Sequence, residues 1–555
     1  MKVNLLFRNA TVVDGSGGPS IVADVAVTDG RVVAMGNLKA MTGSVTVDCE
    51  GLVLSPGFID VHTHSDFALT VYPRAESMTS QGVTTQVVGN CGFSPFPVVK
   101  EHEAALREYT DFLDAGLPWG SWTSAKQFFD LLDGLPLASN IVSQVGHGSV
   151  RIAAMGFSVD MPTDEERKLM AGFVRDAMLE GAVGMSSGLT YAPSSAATTD
   201  ELVSLAKIVS SFGGIYSTHI RSEAIRLVEA VEEALAIGAQ ANLPVQLSHH
   251  KAMGTANWSK VSTTLQMIDS AVATGQDVTL DQYPYTAGST GLAIILPRRV
   301  LEGGAQVMRE RLRDPVVRAT VREEISAQRS EDLLAGLREF DPDRIVIADV
   351  PAGPLEEYVG LTVAEVALRR GYEPIDAALD LLIESGENIL TIVHGQSEEN
   401  LRKIMRHERT MIASDGWTLD PRAGGKPHPR SFGTYTRVLG RYVREEGVLG
   451  IEDAVRKMTS LPASRFGLVG RGLVEVGFLA DLVLFDPVAV IDVATFEEPT
   501  RFSIGVKMVV VNGKIVFEND QDTGIAAGRL LRRGRDAGMD VSKVPLHGRP
   551  VLGEL

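Results

Sequence analysis

The stretch Ser55-Pro56-Gly57-Phe58-Ile59-Asp60-Val61-His62-Thr63-His64 decides the fold, because in it an apolar run ends in two histidines separated by one residue. Pro56 and Gly57 punctuate its start and predict that a new element begins there. Side chains two positions apart on a strand point to the same face, so His62 and His64 are expected to project side by side. Such a pair suits the binding of one metal ion, although two hydrogen-bonded histidines at a strand end would have the same spacing.

The composition narrows the class of protein. The chain has 555 residues, of which 44% are hydrophobic and 22% charged, which predicts a soluble globular protein with one large domain and one or two smaller ones. A net charge of −18 argues against a nucleic-acid partner, because phosphate binding needs a basic face. No apolar run is long enough for a bilayer and the N-terminus lacks a signal-peptide pattern, so no membrane partner is expected. With Cys49 and Cys91 as its only cysteines, the chain has no disulfide framework, and a cytoplasmic location is expected.

Both ends of the chain are predicted to be rich in β-strand. Residues 21–27 alternate in hydrophobicity and lead into the turn Asp29-Gly30, which indicates a hairpin. A similar pattern returns near the C-terminus, where apolar runs flank Asn512-Gly513, a strong hairpin turn. We expect residues 1–55 and 468–520 to pair into one small β-sandwich domain built from both chain ends.

The middle of the chain, residues 56–467, alternates strand-like runs with helical stretches. Thr163-Asp164-Glu165-Glu166 has the spacing of a capping box and opens one of the helices. This alternation predicts a parallel sheet, and eight such units predict an α/β fold of the (β/α)8 TIM-like barrel type. An insertion of about residues 290–395 interrupts the pattern between strands seven and eight, and it fits a lid or a surface subdomain equally well. Residues 521–555 are expected to form a C-terminal tail.

Residues of the kinds that bind metals follow several of the predicted strands. They are His62 and His64 after strand one, Cys91 after strand two, His219 after strand five, His249 after strand six and Asp415 after strand eight. Active sites of such barrels lie at the carboxyl ends of the strands, and imidazole and thiolate are preferred zinc ligands. A single histidine at a strand end is usually structural, but that interpretation does not explain the whole set.

Seven blocks of sequence, which include these candidate ligands, resemble those of a known protein family. The blocks are residues 56–66, 89–95, 217–223, 247–251, 281–285, 413–416 and 458–463. On these blocks the chain resembles the N-acyl-D-amino-acid deacylase (D-aminoacylase) family of the amidohydrolase superfamily. The His-x-His pair and Ser414-Asp415-Gly416 are typical of the whole superfamily, whereas the block around Cys91 and Ser248-His249-His250-Lys251 point to the deacylase branch.

The resemblance implies a zinc centre with two subsites. The tightly bound zinc is implied to be held by Cys91, His219 and His249, and a second subsite, weaker or empty in the family, by His62, His64 and Asp415. Most binuclear amidohydrolases bridge their metals with a carboxylated lysine on strand four, but residues 184–189 contain no lysine. In the resembling family a strand-two cysteine takes that role, and Cys91 occupies its position.

Several residues near strand ends are given no ligand role. His249 and His250 are adjacent, so only one of them can face the metal, and the family pattern keeps the first. His250, His147 and His394 are expected to be structural histidines, and Cys49 a packed apolar residue.

The resemblance also implies a reaction. We expect zinc-dependent hydrolysis of the amide bond of an N-acyl-D-amino acid, with Asp415 first accepting and then returning a proton as general base and acid. A relative that cleaves another amide, such as an acyl dipeptide or a cyclic amide, is the alternative, and an inactive barrel used as a binding module is a third interpretation. The preferred side chain, the acyl group and the oligomeric state stay open.

The substrate carboxylate calls for cationic and hydroxyl donors. Lys251 lies two residues beyond His249 and is expected on the same side of the chain. Tyr191, Tyr283, Arg298 and Arg430 occupy positions similar to residues of the family that hold the substrate carboxylate or side chain.

Overall fold

The structure is a computed structural model that describes residues 2–327, 340–385, 389–422 and 424–536. It is an α/β protein with two parallel sheets in the middle of the chain. One sheet has the order Thr410–Ile412, Val278–Gln282, Val245–Leu247, Ile215–His219, Gly184–Gly188, Val145–Gly146, and the other has the order Phe58–Asp60, Val83–Val88, Asn140–Ser143. All neighbouring strands in both sheets run parallel, as the βαβα pattern predicts.

The two parallel sheets are connected at both of their edges. On one side, Asn140–Ser143 and Val145–Gly146 follow each other along the chain with a single residue between them. On the other side, Thr63 forms a parallel bridge with Gly416, and the Asp415 amide donates a hydrogen bond of 2.8 Å to the His62 carbonyl. The last parallel strand therefore lies beside the first.

Helices alternate with these strands and cover them. Their bounds are Glu76–Thr79, Glu103–Thr110, Ala125–Asp133, His147–Met155, Asp164–Glu180, Thr199–Ser211, Leu227–Ala241, Lys260–Ala273, Glu398–Arg406, Arg430–Arg437, Ile451–Met458 and Ser460–Arg465. The predicted capping box is present: the Thr163 amide donates to the Glu166 carboxylate at 2.7 Å, and the Glu166 amide donates to the Thr163 hydroxyl at 3.3 Å. None of the helices in the described ranges is long and apolar enough to cross a bilayer.

The two chain ends join in one nine-stranded sheet. Its strands are Lys2–Val12, Ile21–Thr28, Arg31–Gly36, Thr42–Asp48, Val53–Pro56, Leu482–Phe485, Val506–Val511, Lys514–Glu518 and Gln521–Asp522. Val53–Pro56 and Leu482–Phe485 pair antiparallel and connect the two ends. The sheet has an apolar cluster of its own, with Phe7 and Met508 among its members, and Cys49 packs in that cluster.

A smaller antiparallel sheet stands between the last two parallel strands. It has the order Ala287–Gly291, Leu390–His394, Ile345–Asp349 and is accompanied by helices Arg298–Leu301, Ala305–Arg313, Pro315–Ala327, Val363–Arg370 and Pro374–Ser385. In the sequence of the insertion, residues 344–350 and 388–394 have the pattern of strands, and the structure has the strands Ile345–Asp349 and Leu390–His394 there, while Asn388 lies outside the described residues. Residues 301–343 are charged and have a helical pattern, and residues 328–339 of that stretch also lie outside the described residues.

The segment expected to form a C-terminal tail is described as far as residue 536. Part of it adds to a parallel sheet: Leu530 bridges Ile141 in parallel, and the Leu531 amide donates to the Ile141 carbonyl at 2.7 Å. These residues therefore fill the edge of strand Asn140–Ser143, which would otherwise leave backbone groups unpaired.

Candidate metal centre

Six buried side chains converge at the carboxyl ends of the parallel strands. They form two groups in which all ligand atoms lie within 4.8 Å of one another: His62, His64, Cys91 and Asp415 in one, and Cys91, His219 and His249 in the other. Cys91 belongs to both groups, so its sulfur lies between two adjoining subsites. The structure thus brings together all six residues that the sequence singled out as metal ligands.

The spacing of the ligand atoms fits a zinc ion. Cys91 Sγ lies 3.2 Å from His62 Nε2 and 3.5 Å from His249 Nε2. Asp415 Oδ1 lies 3.3 Å from the Nε2 atoms of both His62 and His64. Bonds of about 2.0–2.3 Å to zinc give tetrahedral edges of roughly 3.3–3.8 Å, close to these separations.

Three of the ligands share an unusual backbone conformation. Cys91 (φ 53°), His249 (φ 35°) and Asp415 (φ 51°) all lie in the left-handed region, which residues other than glycine rarely adopt. Each follows within three residues of the end of a parallel strand. Such strain costs about 1–3 kcal/mol per residue and concentrates at active sites, so the backbone also points to these positions as functional.

Glu223, a residue not assigned from the sequence, lies behind the histidines. Its Oε1 is 2.9 Å from His249 Nδ1 and accepts a hydrogen bond of 2.6 Å from Lys251 Nζ. Its Oε2 is 3.8 Å from His219 Nε2. Lys251 Nζ also lies 2.8 Å from His249 Nδ1, so Glu223 and Lys251 together hold the far ring nitrogen of His249 and keep its Nε2 directed at Cys91. In the sequence, Glu223 ends the block 217–223 of the family resemblance and lies four residues after His219, but neither signal assigned it a role.

Asp281 has the same relation to His62. Its Oδ1 lies 3.2 Å from His62 Nδ1 and accepts a hydrogen bond of 2.8 Å from the His249 amide. Its Oδ2 accepts a hydrogen bond of 2.6 Å from Gln246 Nε2. Asp281 therefore couples the orientation of His62 to the backbone that carries His249. Asp281 belongs to the strand Val278–Gln282 and opens the block 281–285 of the family resemblance, but no local pattern indicated that it contacts His62.

Burial leaves most of the histidine ligands neutral. It lowers the pKa of His64 and holds the pKa of His219 and of His249 well below its usual value, so their lone pairs are free to bind a metal. His62 differs: burial would lower its pKa, but the adjacent acidic groups, Cys91 first among them, raise it well above the usual value. Burial raises the pKa of the Cys91 thiol, so this residue needs a cation beside it to become a thiolate.

Asp415 is ionised at neutral pH. Burial would raise its pKa, but the Arg430 guanidinium, followed by His62, holds the pKa well below its usual range. Arg430 Nη1 donates a hydrogen bond of 2.6 Å to Asp415 Oδ2, and both side chains are buried. Since Arg430 takes Oδ2, Oδ1 is the oxygen directed at His62 and His64.

Lys251, Tyr283 and Arg430 form one side of the cavity at the cluster, called here the cationic wall. Lys251 Nζ lies 5.5 Å, and Arg430 Cζ 5.0 Å, from the centroid of the Tyr283 ring between them. Burial would lower the pKa of Lys251, but Glu223 raises it above the usual value, so the lysine stays charged. This wall offers two cations and a hydroxyl, which suit a carboxylate.

Phe93, Phe112 and Tyr191 form another side of the cavity, called here the aromatic wall. The Tyr191 ring centroid lies 5.0 Å from that of His219 and 5.0 Å from that of Phe93. Phe93 in turn lies 5.4 Å from Phe112 and 6.0 Å from the His64 ring. Tyr191, which the sequence suggested as a substrate contact, therefore belongs to the aromatic wall and not to the cationic wall.

The remaining candidates lie elsewhere. Arg298 starts a short helix and, of the residues that the structure describes, it is not one of those lining this cavity. His147 Nε2 lies 2.9 Å from Glu201, and His250 Nε2 lies 2.9 Å from the Thr264 hydroxyl, so both rings have structural partners. His394 ends a strand of the small antiparallel sheet, outside both ligand groups.

These features define a class of α/β protein whose parallel strands present imidazole, thiolate and carboxylate ligands for a metal at their carboxyl ends. The sequence profile described as the amidohydrolase family matches residues 45–517. Over 536 residues the chain is 39% identical to a D-aminoacylase of Alcaligenes xylosoxydans xylosoxydans, covering 96% of this chain and 98% of the relative. It is 37% identical over 537 residues to an N-acyl-D-glutamate deacylase of the same organism, covering 96% and 97%.

The solved structures agree with these relatives. A crystal structure of N-acyl-D-glutamate deacylase from Bordetella bronchiseptica, complexed with zinc and a phosphonate mimic of the tetrahedral intermediate, matches with a TM-score of 0.80 and 35% identity, covering 96% of this chain and 100% of that one. The chain belongs to the N-acyl-D-amino-acid deacylase (D-aminoacylase) family of the amidohydrolase superfamily.

Proposed function

We propose that this protein is a zinc-dependent hydrolase that cleaves the linear amide bond of N-acyl-D-amino acids and releases a carboxylate and a free D-amino acid. The observation that carries the proposal is the pair of ligand groups that share Cys91 and that contact two buried cations, Lys251 and Arg430. Two relatives support it, a D-aminoacylase and an N-acyl-D-glutamate deacylase, which are at least 37% identical to this chain over nearly its whole length.

The proposal includes a domain arrangement. Residues 56–467 form a closed (β/α)8 barrel, supported by the bridge between Thr63 and Gly416 that links the last parallel strand to the first. Residues 1–55 and 468–520 form a composite β-sandwich, supported by their common sheet and apolar cluster. Residues of about 290–395 form the insertion, and 521–555 the C-terminal segment.

The metal assignment follows the two ligand groups. Cys91, His219 and His249 hold one zinc tightly, and His62, His64 and Asp415 line a second subsite that is weaker or empty. Zinc, when bound, polarises the amide carbonyl and lowers the pKa of a water toward about 7. Glu223 and Asp281 position the histidines through their far ring nitrogens.

Asp415 moves the proton in this scheme. Its Oδ1 accepts a proton from the attacking water as the carbon–oxygen bond forms, and the same oxygen returns it to the amine nitrogen as the carbon–nitrogen bond breaks. Arg430 keeps Oδ2 occupied at 2.6 Å, which fixes the carboxylate plane and leaves Oδ1 for this transfer. The low pKa of Asp415 keeps the group in the basic form before the reaction starts.

The substrate carboxylate binds at the cationic wall, where Lys251, Tyr283 and Arg430 meet. Tyr191 contacts an apolar part of the substrate from the aromatic wall. Arg298 is not among the described residues that line the cavity, and its contact with the substrate stays a prediction. The substrate is a small molecule, and a cytoplasmic location is supported by two free, buried cysteines.

The test is a substrate panel with zinc-loaded enzyme. N-acetyl derivatives of matched D- and L-amino acids, an acyl dipeptide and a cyclic amide such as a hydantoin are compared by release of free amine. We expect turnover of the D-substrates well above that of the L-substrates and of the other amides. Absence of turnover for every N-acyl-D-amino acid refutes the proposal, and faster hydrolysis of the cyclic amide replaces it with a different amidohydrolase activity.

A further inference from the structure

A second cavity lies directly behind the aromatic wall. The two cavities share six lining residues, Phe93, Phe112, Thr190, Tyr191, Thr290 and Ile294, so they adjoin across these residues. We propose that the second cavity binds the acyl chain of the substrate, and that the preferred acyl groups are uncharged, apolar and longer than acetyl. This inference rests on the function proposed above.

The order of the parallel strands places the two walls on opposite sides of the ligand cluster. Phe93 follows the second parallel strand, Val83–Val88, and Tyr191 follows the fourth, Gly184–Gly188. The three members of the cationic wall come after the sixth, seventh and eighth strands. In a ring of eight strands, the loops after strands two and four lie across from those after strands six to eight.

The covalent structure of the substrate then decides which part enters the second cavity. An N-acyl-amino acid is a linear molecule with the carboxylate at one end, the scissile amide in the middle and the acyl chain at the other end. If the carboxylate lies on Lys251, Tyr283 and Arg430 and the amide at the ligand cluster, the acyl chain extends toward the aromatic wall. The amino-acid side chain, one bond from the carboxylate-bearing carbon, stays on the cationic side.

The second cavity suits a hydrocarbon chain. Residues that line it and not the first cavity include Tyr109, Phe157, Ala192, Ala293 and Leu301. The rings of Tyr109 and Phe93 lie 4.6 Å apart, and those of Tyr109 and Phe157 6.4 Å apart, so the aromatic surface continues from one cavity into the other. Apolar pockets of this kind favour a ligand by about 0.8 kcal/mol per buried methylene, or three- to fourfold in affinity.

The described lining of the second cavity offers no cation to an acidic acyl group. Glu108 and Asp111 contribute to its lining, and Asp111 is exposed while Glu108 is half-buried and accepts a hydrogen bond from the Ala305 amide. No lysine or arginine lines this cavity among the residues that the structure describes. A dicarboxylic acyl group such as succinyl would bring a second carboxylate into a cavity whose described lining offers no cation to receive it.

The experiment compares acyl groups on one amino acid. Zinc-loaded enzyme is assayed with the N-acetyl, N-butyryl, N-hexanoyl and N-succinyl derivatives of D-leucine. We expect kcat/KM to rise with chain length, by about tenfold or more from acetyl to hexanoyl, and the succinyl derivative to be poorer than butyryl. A flat or falling series, or a preference for succinyl, overturns this inference and leaves the proposed function intact. Absence of turnover for all four overturns both.

A variant that fills the second cavity tests whether the dependence on acyl length arises from binding in that cavity or from a general change in activity. Ala293→Phe adds a ring at a half-buried position that lines the second cavity and not the first. We expect it to lower kcat/KM for the hexanoyl substrate about tenfold while the acetyl substrate stays within twofold. Ala171→Phe, also half-buried but on helix Asp164–Glu180 and away from both cavities, is the matched control.

Phe157→Trp enlarges another residue that lines the second cavity and repeats the test if Ala293→Phe does not fold. Equal losses on the acetyl and hexanoyl substrates in either folded variant, or no loss on either, refute the acyl-chain assignment. A loss that follows the size of the amino-acid side chain, measured on N-acetyl-D-alanine and N-acetyl-D-leucine, refutes it as well, because the side chain then occupies the cavity.

Discussion

Replacing Asp415 with asparagine keeps the shape of the side chain and removes its charge and its basicity. The amide oxygen still accepts a hydrogen bond from Arg430, whose Nη1 lies 2.6 Å from Oδ2 in the wild type. The tight ligand group of Cys91, His219 and His249 does not include residue 415, so the variant should keep one zinc. Turnover should fall steeply, because no group accepts the proton of the attacking water.

Asp415→Asn should change both the rate of turnover and the stability of the fold. Loss of a general base and acid lowers kcat about 10²- to 10⁴-fold, equivalent to about 3–5 kcal/mol in the barrier. Loss of the charge on Asp415 also leaves a buried guanidinium with a neutral partner. Because one hydrogen bond persists, we expect a cost of about 1–3 kcal/mol in the free energy of unfolding, which such a large chain should tolerate.

The measurements are kcat on N-acetyl-D-leucine, zinc content by mass spectrometry, and the midpoint of thermal unfolding. Asp420→Asn is the matched control, because Asp420 pairs with the exposed Arg422 at 2.6 Å and lies away from the cavity. A kcat within tenfold of the wild type in Asp415→Asn with full zinc refutes the proton-transfer role. Loss of zinc together with activity refutes the assignment of residue 415 to the weaker subsite.

Three further predictions concern single residues. Cys91→Ala should lose most of its bound zinc, because the sulfur belongs to both ligand groups, and metal analysis checks this directly. Lys251→Met should raise KM for N-acyl-D-amino acids about 10- to 100-fold, with a smaller effect on kcat, because a charged hydrogen bond to the substrate carboxylate is lost. Burial would raise the pKa of Glu201, but His147 and then Arg151 outweigh it and lower the pKa to about 2, so Glu201 stabilises the fold fully above pH 4.5. That contribution is lost as the pH falls toward 2, so the stability advantage of wild type over Glu201→Gln should shrink by about 2 kcal/mol between pH 7 and pH 3, measured by urea unfolding.

Each of the three variants, Cys91→Ala, Lys251→Met and Glu201→Gln, has an outcome that would contradict the prediction. Cys49→Ala changes the other buried cysteine and should leave the zinc content unchanged, whereas normal zinc in Cys91→Ala would refute the shared-ligand role. Lys251→Arg keeps the charge and should recover part of the KM, and an unaltered KM in Lys251→Met would remove Lys251 from the substrate contacts. A stability difference between wild type and Glu201→Gln that does not change with pH would contradict the ion-pair explanation.

Much of the fold was predictable because its signals are local. The capping box at Thr163 and the hairpin turns at Asp29-Gly30 and Asn512-Gly513 each involve a few neighbouring residues, and all three are present. The alternation of strand and helix was enough to predict parallel sheets, since parallel neighbours need a long crossover connection. The strand Ala287–Gly291 was missed, because it is short, glycine-rich and defined by its partner Leu390–His394.

In the candidate site, too, the features with local signals were predictable and the contacts between distant residues were not. The sequence by itself determined which residues end the strands, because strand periodicity and the breaks after strands are visible in consecutive residues. It therefore identified the candidate ligands His62, His64, Cys91, His219, His249 and Asp415. The tertiary structure alone decided that Glu223 orients His249, that Asp281 contacts His62 and that Tyr191 stands on the aromatic wall. Asp281 and His62 are 219 positions apart. Contacts over such separations depend on how the strands are arranged around the site, and no local pattern of residues encodes that arrangement.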